Sequence, residues 1–137
     1  AASDVYKRQL KLKVTVERYF SDYKKIFIMG VFKDKEYEKI VQILCPSAKR
    51  VYTVDLPNKE RTLPAEKLAE CVRDCMTEQL SVYAEKSIGD AVAKAYTYAT
   101  EDSGKRAVIA CGSLSYLSEV IRCMERCVQN PQRKERI

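Results

Sequence analysis

Residues 25–44 read KIFIMGVFKDKEYEKIVQIL, and their hydrophobic pattern changes in the middle. Residues 26–29 are apolar at every position, which predicts a strand covered by helices on both faces. After Gly30 the apolar residues recur at helical spacing, at Tyr37, Ile40, Val41 and Leu44. The stretch is therefore a βα unit. Ligands of open α/β sheets bind at the carboxyl ends of such strands, which here are followed by residues 30–35.

Strand and helix patterns alternate along the rest of the chain. Three apolar runs of residues that favour strands, at 50–56, 80–84 and 106–111, each precede a helical pattern. Strands separated by helices predict a mostly parallel sheet with right-handed crossovers. The expected fold class is therefore α/β, a three-layer Rossmann-like domain. In its last helix the spacing predicts an inward stripe made of Leu117, Val120, Ile121 and Met124.

The two ends of the chain differ from its middle. Residues 1–9, AASDVYKRQ, show no pattern continuous with the next segment, and we interpret them as a non-native leader that resembles a translated adapter. The α/β domain is expected over residues 10–130, followed by a frayed basic tail at residues 131–137. The apolar spacing of residues 10–20 fits either a half-buried strand or a helix.

Composition narrows the class of protein. The 137 residues are 46% hydrophobic and 32% charged, which is typical of one soluble globular domain. No apolar run has membrane-spanning length and no secretory signal is visible, so we expect a cytoplasmic protein with no membrane partner. The net charge of +6 raises nucleic acid as a partner. Lys and Arg are interleaved with Asp and Glu, however, so no nucleic-acid partner is expected.

The chain has six cysteines and no histidine. Cys71 and Cys75 are four apart within a helical pattern, as are Cys123 and Cys127, which favours packing in the core over zinc or disulfide chemistry. Without histidine the chain has no Ser-His or Cys-His pair and no imidazole base. These residues therefore exclude imidazole-dependent catalysis.

Three polar loops are expected at one edge of the sheet, because the carboxyl ends of parallel strands meet there. They are residues 30–35, 55–64 and 112–115. The third loop has a glycine turn, hydroxyls and backbone N–H groups at a helix start, which favours an anion such as a carboxylate or phosphate. Ordinary turn chemistry explains the same residues. No G-x-G-x-x-G motif follows a strand and no Walker A motif is present, so these residues predict no nucleotide site of their own.

Three segments of the chain, in order, resemble one family. They are IFIMGVFKDKEY at residues 26–37, VYTV with PN and RTLPAE at 51–54, 57–58 and 61–66, and VIACGSLSYLSEV at 108–120. Together they resemble the C-terminal domain of folylpolyglutamate synthase/dihydrofolate synthase, in the Mur ligase superfamily. The resemblance runs from about Val14 to Cys127. In it, residues 16–20 look like the end of the family's first helix, which favours helix over strand there.

The resemblance implies an ATP-dependent ligase. The family activates a folate carboxylate as an acyl phosphate, which the amino group of glutamate attacks to form an amide. In the full-length family enzyme, ATP and Mg are bound by a preceding N-terminal ATPase domain. The Asp and His of an Asp-Gly-Ala-His-Asn-Pro segment approach the nucleotide. We therefore expect this polypeptide to be a C-terminal fragment that binds neither cofactor by itself and is inactive alone. In the family a strand precedes the Asp-Gly-Ala-His-Asn-Pro segment. Without this strand one position at the edge of the sheet would be unpaired, which favours self-association.

The resemblance carries four residues to the substrate side of an interdomain cleft. Lys33, Asp34 and Lys35 match the loop after the strand, and Ser113 matches the serine of the family's Gly-Ser-Leu turn. It implies that Lys33 or Lys35 offers positive charge to a carboxylate or phosphate, while Ser113 and nearby N–H groups orient one oxygen. The alternative is a solvated turn before a helix, with Asp34 as the helix cap.

Two other functions stay open. One is a stand-alone α/β binding or interaction module that shares the fold without the ligase activity. The other is a cell-wall ligase of the same superfamily, which is less favoured because residues 57–66 look folate-type. The resemblance leaves both dihydropteroate and folates as substrates, since the family's pterin pocket lies outside this domain.

Overall fold

The computed structural model describes residues 2–76, 80–101 and 103–129, with side chains from residue 7 onward. In that part of the chain the elements are α1 (Ala2–Tyr19), β1 (Lys24–Gly30), α2 (Tyr37–Leu44), β2 (Arg50–Thr53), α3 (Ala65–Cys75), β3 (Ser81–Ala84), α4 (Ile88–Thr100), β4 (Arg106–Gly112) and α5 (Leu117–Gln129). Short 3-10 turns, Cys45–Ser47 and Leu114–Tyr116, precede β2 and α5.

The described strands form one parallel sheet in the order β3-β2-β1-β4. β1 is central, with Phe27 opposite Val51 on one side and Ile109 on the other. All of its residues after Lys24 are buried, as the uninterrupted apolar run predicts. The expected α/β fold class with a parallel sheet is confirmed.

Side chains of β1 alternate between two cores, one on each face of the sheet. Phe27 and Met29 pack with α2 and α3, whereas Ile26 and Ile28 pack with α4 and α5. Each fully buried side chain of this size stabilises the fold by about 1.5–3 kcal/mol relative to exposure. The two layers of helices therefore hold β1 and its carboxyl end in place.

The structure of helix α5 contradicts part of the prediction that its apolar stripe is buried. Leu117 and Ile121 are 40% and 50% exposed, so their predicted burial is wrong. The buried face instead carries Val120, Cys123 and Cys127, which pack in the same core as α4. The helix is apolar on two adjacent faces, and the smaller cysteine side chains lie on the face that packs closely.

Helix α1 settles the ambiguity of residues 10–20 in favour of a helix. It begins at Ala2, so the backbone shows no break at residue 10, contrary to the discontinuity in the sequence pattern. Helix propensity explains this, since Lys, Arg and Gln extend a helix without apolar periodicity. The non-native origin of residues 1–9 stays a prediction, and the tail at 131–137 lies outside the described residues.

The cysteines form no disulfide bond with one another. All six are unbridged, and Cys45, Cys111, Cys123 and Cys127 are buried. Burial raises the pKa of Cys45 to about 12, so this thiol is neutral at physiological pH. Cys71 and Cys75 are partly buried and pack against the core that contains Phe27 and Met29, so the packing interpretation is confirmed.

Candidate functional site

The three predicted loops meet at the carboxyl edge of the sheet. The loop after β1 pairs with the loop before α3, where Lys33 N–H donates to Arg61 O at 2.8 Å and Leu63 N–H donates to Val31 O at 2.9 Å. The turn after β4 joins them, because Ser113 N–H donates to Gly30 O at 2.8 Å. Backbone hydrogen bonds therefore fix the relative positions of all three loops.

Close packing sets the turn after β4. Gly112 has φ +92°, and a Cβ atom at this position would lie 2.3 Å from Gly30 O. The buried Tyr116 hydroxyl donates into the same corner, 2.6 Å from Cys111 O and 2.8 Å from Ile28 O. Burial raises the pKa of Tyr116 well above its ordinary value, so the hydroxyl keeps its proton as a donor. The ends of β1 and β4 are thus tied together beneath the loops.

A cavity of about 530 Å³ opens at this edge. Its polar side chains from the predicted set are Lys35 and Ser113, which the structure brings together. Much of the remaining wall is apolar, formed by Leu12, Val31, Phe32, Ile40, Ala110 and Leu114. Arg8 and Gln9 also line it, but they belong to the interpreted leader, and the site is argued without them. Apart from Arg8 and Gln9, the cavity combines an apolar wall with the ammonium group of Lys35 and the hydroxyl of Ser113.

Lys33 and Asp34 do not line this cavity. Asp34 instead lies 3.5 Å from Arg61, and both side chains are about half exposed or more, at 60% and 49%. The Arg61 guanidinium carbon is 4.1 Å from the centre of the Phe32 ring. The cap of α2 is Glu36 and makes no side-chain hydrogen bond. The alternative that Asp34 caps this helix is therefore wrong.

Ser113 is partly used by its own turn. Its hydroxyl accepts from Ser115 N–H at 3.1 Å and lies 2.8 Å from the Ser115 hydroxyl. The N–H groups of Ser113 and Ser115 therefore have protein partners, and neither is free for an anion as the anion-binding interpretation expected. Of these two residues only Ser113 lines the cavity, and when the Ser115 hydroxyl donates to it, the Ser113 proton is left to donate toward the cavity.

Three residues were missed as contributors to this edge. Arg61 and Phe32 stack across two loops, and Tyr116 ties two strand ends together. Arg61 and Phe32 had a signal in the sequence, since each lies in a loop expected at this edge. Tyr116 had none, because a tyrosine after a glycine-serine turn has no periodic pattern that predicts burial of its hydroxyl.

Metal-binding and membrane-spanning features were also sought within the described ranges. Those residues contain no group of three or more His, Cys, Asp or Glu side chains arranged to hold a metal ion. No helix among them is both long and apolar enough to cross a bilayer.

Comparison by sequence finds no matching family model and no curated protein of significant similarity. Comparison by structure does find solved structures with a similar fold. Mycobacterium tuberculosis folylpolyglutamate synthase complexed with ADP and AMPPCP matches 90% of this chain with 27% of its own, at 18% identity and a TM-score of 0.69. Escherichia coli FolC in complex with DHPP and ADP matches 88% of this chain with 27% of its own, at 17% identity and a TM-score of 0.70.

A third solved structure gives the same result. The bifunctional folylpolyglutamate synthase/dihydrofolate synthase of Yersinia pestis, complexed with AMPPNP and Mn ion, matches 82% of this chain with 25% of its own. Its identity is 21% and its TM-score 0.61. The chain thus spans about a quarter of the length of these proteins. Within the described residues, its four-stranded parallel sheet flanked by helices shares the fold of the matched part of these proteins, which are folylpolyglutamate synthases.

Proposed function

We propose that this chain is the C-terminal, substrate-side domain of an ATP-dependent ligase that adds L-glutamate to folates. The observation that carries the proposal is the cavity at the carboxyl edge of the sheet. It lies between two of the three segments whose sequence resembles the family, and Lys35 and Ser113 line it. The shared fold supports the proposal, although fold alone does not specify an activity.

In the proposed reaction the amino group of glutamate attacks the carbonyl carbon of a folate acyl phosphate. A C–N bond forms, the C–O bond to phosphate breaks, and the amine loses a proton. Lys35 is assigned the role of binding a carboxylate or phosphate oxygen, since an ammonium makes strong charge-assisted hydrogen bonds with such groups. The hydroxyl of Ser113 orients a second oxygen.

The nucleotide and the metal ion are not assigned to this chain. The described residues offer no group of three or more metal ligands, and the sequence lacks a Walker A motif. No step of the proposal therefore uses a cofactor held here. Both would be bound by a preceding ATPase domain of a longer polypeptide, and we propose that the chain alone is inactive and that the enzyme is cytoplasmic.

The test is ligase activity of the parent polypeptide, read in its native frame upstream of Leu10, beside this chain alone. The reaction contains ATP, magnesium, glutamate and either tetrahydrofolate or dihydropteroate. Amide formation by the parent only supports the proposal. A parent that is inactive with every folate acceptor, or a native frame without an ATPase domain, overturns it in favour of a stand-alone binding module.

Two neighbouring lysines provide a matched pair of variants in the active parent. Lys35→Ala is expected to raise KM for glutamate or lower kcat by about tenfold, the order expected for loss of one charge-assisted hydrogen bond. Lys33→Ala removes the same charge outside the cavity and is expected to change either constant less than about twofold. Equal effects of the two substitutions would remove Lys35 from the site.

A further inference from the structure

A cluster of arginine and tyrosine side chains lies at the opposite edge of the sheet from this cavity. Arg50 is the first residue of β2, and α4 runs back from the carboxyl edge so that Tyr98, near its end, reaches Arg50. The Arg50 guanidinium carbon is 3.5 Å from the centre of the Tyr98 ring and 5.4 Å from that of Tyr83. Arg50 Nη1 also donates to the Tyr52 hydroxyl at 3.2 Å. We call these four residues the arginine–tyrosine cluster.

Arg50 carries a charge that no described carboxylate balances. Among the residues that the structure describes, no Asp or Glu oxygen lies within ion-pair distance of its guanidinium. The two carboxylates in the same groove have cationic partners, since Glu85 is 2.7 Å from Lys94 and Glu101 is 3.8 Å from Arg106. A half-buried arginine is ordinarily paired, because removing a charge from water is costly. The cluster therefore has a cation but no counter-anion of its own.

The geometry around Arg50 leaves room for an anion. The cluster borders a groove of about 290 Å³, near the lower limit for small-molecule sites. The Tyr98 ring covers one face of the Arg50 guanidinium, and the N–H groups that do not donate to Tyr52 remain for an oxyanion. Thr97 lines the same groove, and its Oγ1 is buried and has no hydrogen-bond partner among the described residues. The guanidinium of Arg50 and the side chain of Thr97 thus border one groove.

We propose that this groove binds a small oxyanion carried on a planar ring, such as an aromatic carboxylate or an aryl phosphate. The N–H groups of Arg50 bind the oxyanion beside the side chain of Thr97. Tyr83 is 42% exposed, so its ring offers apolar surface on which the ligand ring packs. The groove shares no lining residue with the cavity of the candidate site, and the proposal does not depend on the ligase function.

The test titrates the chain with four probes and follows the NMR signals of Thr97 and the cluster tyrosines. Benzoate and phenyl phosphate carry a ring, whereas acetate and inorganic phosphate do not. We expect saturable binding of at least one aromatic anion, with the ringless anion of the same group binding roughly tenfold more weakly. The benzoate and phenyl phosphate titrations distinguish a carboxylate from a phosphate ligand. Absence of saturable shifts with both aromatic probes overturns the proposal.

Variants separate the cluster from general surface charge. Arg50→Gln is expected to weaken binding of the aromatic probe about tenfold, as for loss of a hydrogen bond to a charged group. The matched control is Arg122→Gln on the exposed side of α5, which removes the same charge and is expected to leave binding unchanged. Tyr83→Leu changes an exposed ring and is expected to reduce benzoate binding to the level of acetate. Equal affinities of Arg50→Gln and Arg122→Gln for the aromatic probe overturn the site. If Arg50→Gln does not fold, unchanged benzoate binding in Tyr83→Leu overturns it.

Discussion

The two strand ends that border the candidate cavity are built differently, although β1 and β4 are neighbours in the sheet. The turn after β4 is closely packed, since Gly112 touches Gly30 and the Tyr116 hydroxyl reaches the carbonyls of both strands. In the loop after β1 the backbone is bonded at Lys33, but the side chains at residues 33–36 are exposed. Packing determines the position of Ser113, whereas Lys35 is held by backbone hydrogen bonds to Phe32 and Tyr37 and its side chain is exposed.

This difference suggests how the two ends would divide the work in a ligase. Hydrogen-bonding groups that orient an oxygen need fixed positions, because a small misplacement costs catalytic efficiency. A lysine that attracts a carboxylate or phosphate can adapt, since it is a flexible point charge. The comparison therefore predicts that substitutions in the β4 turn lower stability strongly, while those in the β1 loop lower it little.

The largest expected effect comes from Gly112→Ala. A Cβ atom would lie 2.3 Å from Gly30 O at a φ of +92°, and backbone rather than a flexible side chain must move. We expect the free energy of unfolding to fall by at least about 3 kcal/mol, measured by urea denaturation.

Gly89→Ala is the matched control for that substitution. Gly89 lies in the first turn of α4, and the nearest atoms to an added Cβ are at ordinary distances of 3.7 and 3.9 Å. Alanine there should stabilise the protein by about 0.5–1 kcal/mol. Similar losses from both glycines would show that the β4 turn is not specially packed.

Tyr116→Phe gives an intermediate effect. It removes the hydroxyl that reaches Cys111 O and Ile28 O but keeps the buried ring. Loss of this hydrogen bond should lower the free energy of unfolding by about 1–2 kcal/mol near neutral pH. Tyr19→Phe, on a ring that is 66% exposed, should leave it within about 0.5 kcal/mol. If both variants have the stability of the parent protein, the hydroxyl does not tie the strands together.

The difference in stability between the parent protein and Tyr116→Phe depends on pH, and the direction of this dependence follows from the pKa of Tyr116. Burial raises the pKa of Tyr116 above its ordinary value of 10.0, so the folded state holds this proton more tightly than the unfolded state. The contribution of Tyr116 to the free energy of unfolding is fully present below about pH 10. It is lost as the pH rises further, because the tyrosine of the unfolded state ionises first. The stability gap between the parent protein and Tyr116→Phe should therefore narrow above pH 10. A constant gap in denaturation series from neutral to alkaline pH would contradict the raised pKa.

Sequence patterns predicted the sheet better than they predicted the site. The apolar run at residues 26–29 and the helical stripe after it are strong periodic signals, and both elements formed as expected. The same signal failed in α5, where two adjacent apolar faces made the buried one ambiguous. Ile121 is exposed and Cys123 buried because close packing against α4 selects the smaller side chain.

Within the site, the grouping of loops followed from parallel-sheet topology, which brought Lys35 and Ser113 to one cavity. The same reasoning could not separate Lys33 from Lys35, since side-chain direction in a loop depends on contacts made by other segments. Arg61 is an example of such a segment. Its backbone carbonyl accepts from Lys33 N–H, and its guanidinium pairs with Asp34, which does not cap the helix. These contacts join residues about 30 positions apart, and no local pattern encodes them.

Asp34→Asn is the smallest expected effect and the sharpest test of the exposed loop. It breaks an ion pair with Arg61 whose atoms are 3.5 Å apart and largely in water, so the free energy of unfolding should change by less than about 0.5 kcal/mol. Arg61 also packs over the Phe32 ring, so Arg61→Ala should cost more than Asp34→Asn by loss of that contact. Urea denaturation at low and high salt separates the two contributions, since salt screens the ion pair but not the stacking. If Asp34→Asn costs as much as Arg61→Ala and the cost persists in high salt, the β1 loop is as firmly held as the β4 turn. The contrast between the two strand ends would then fail.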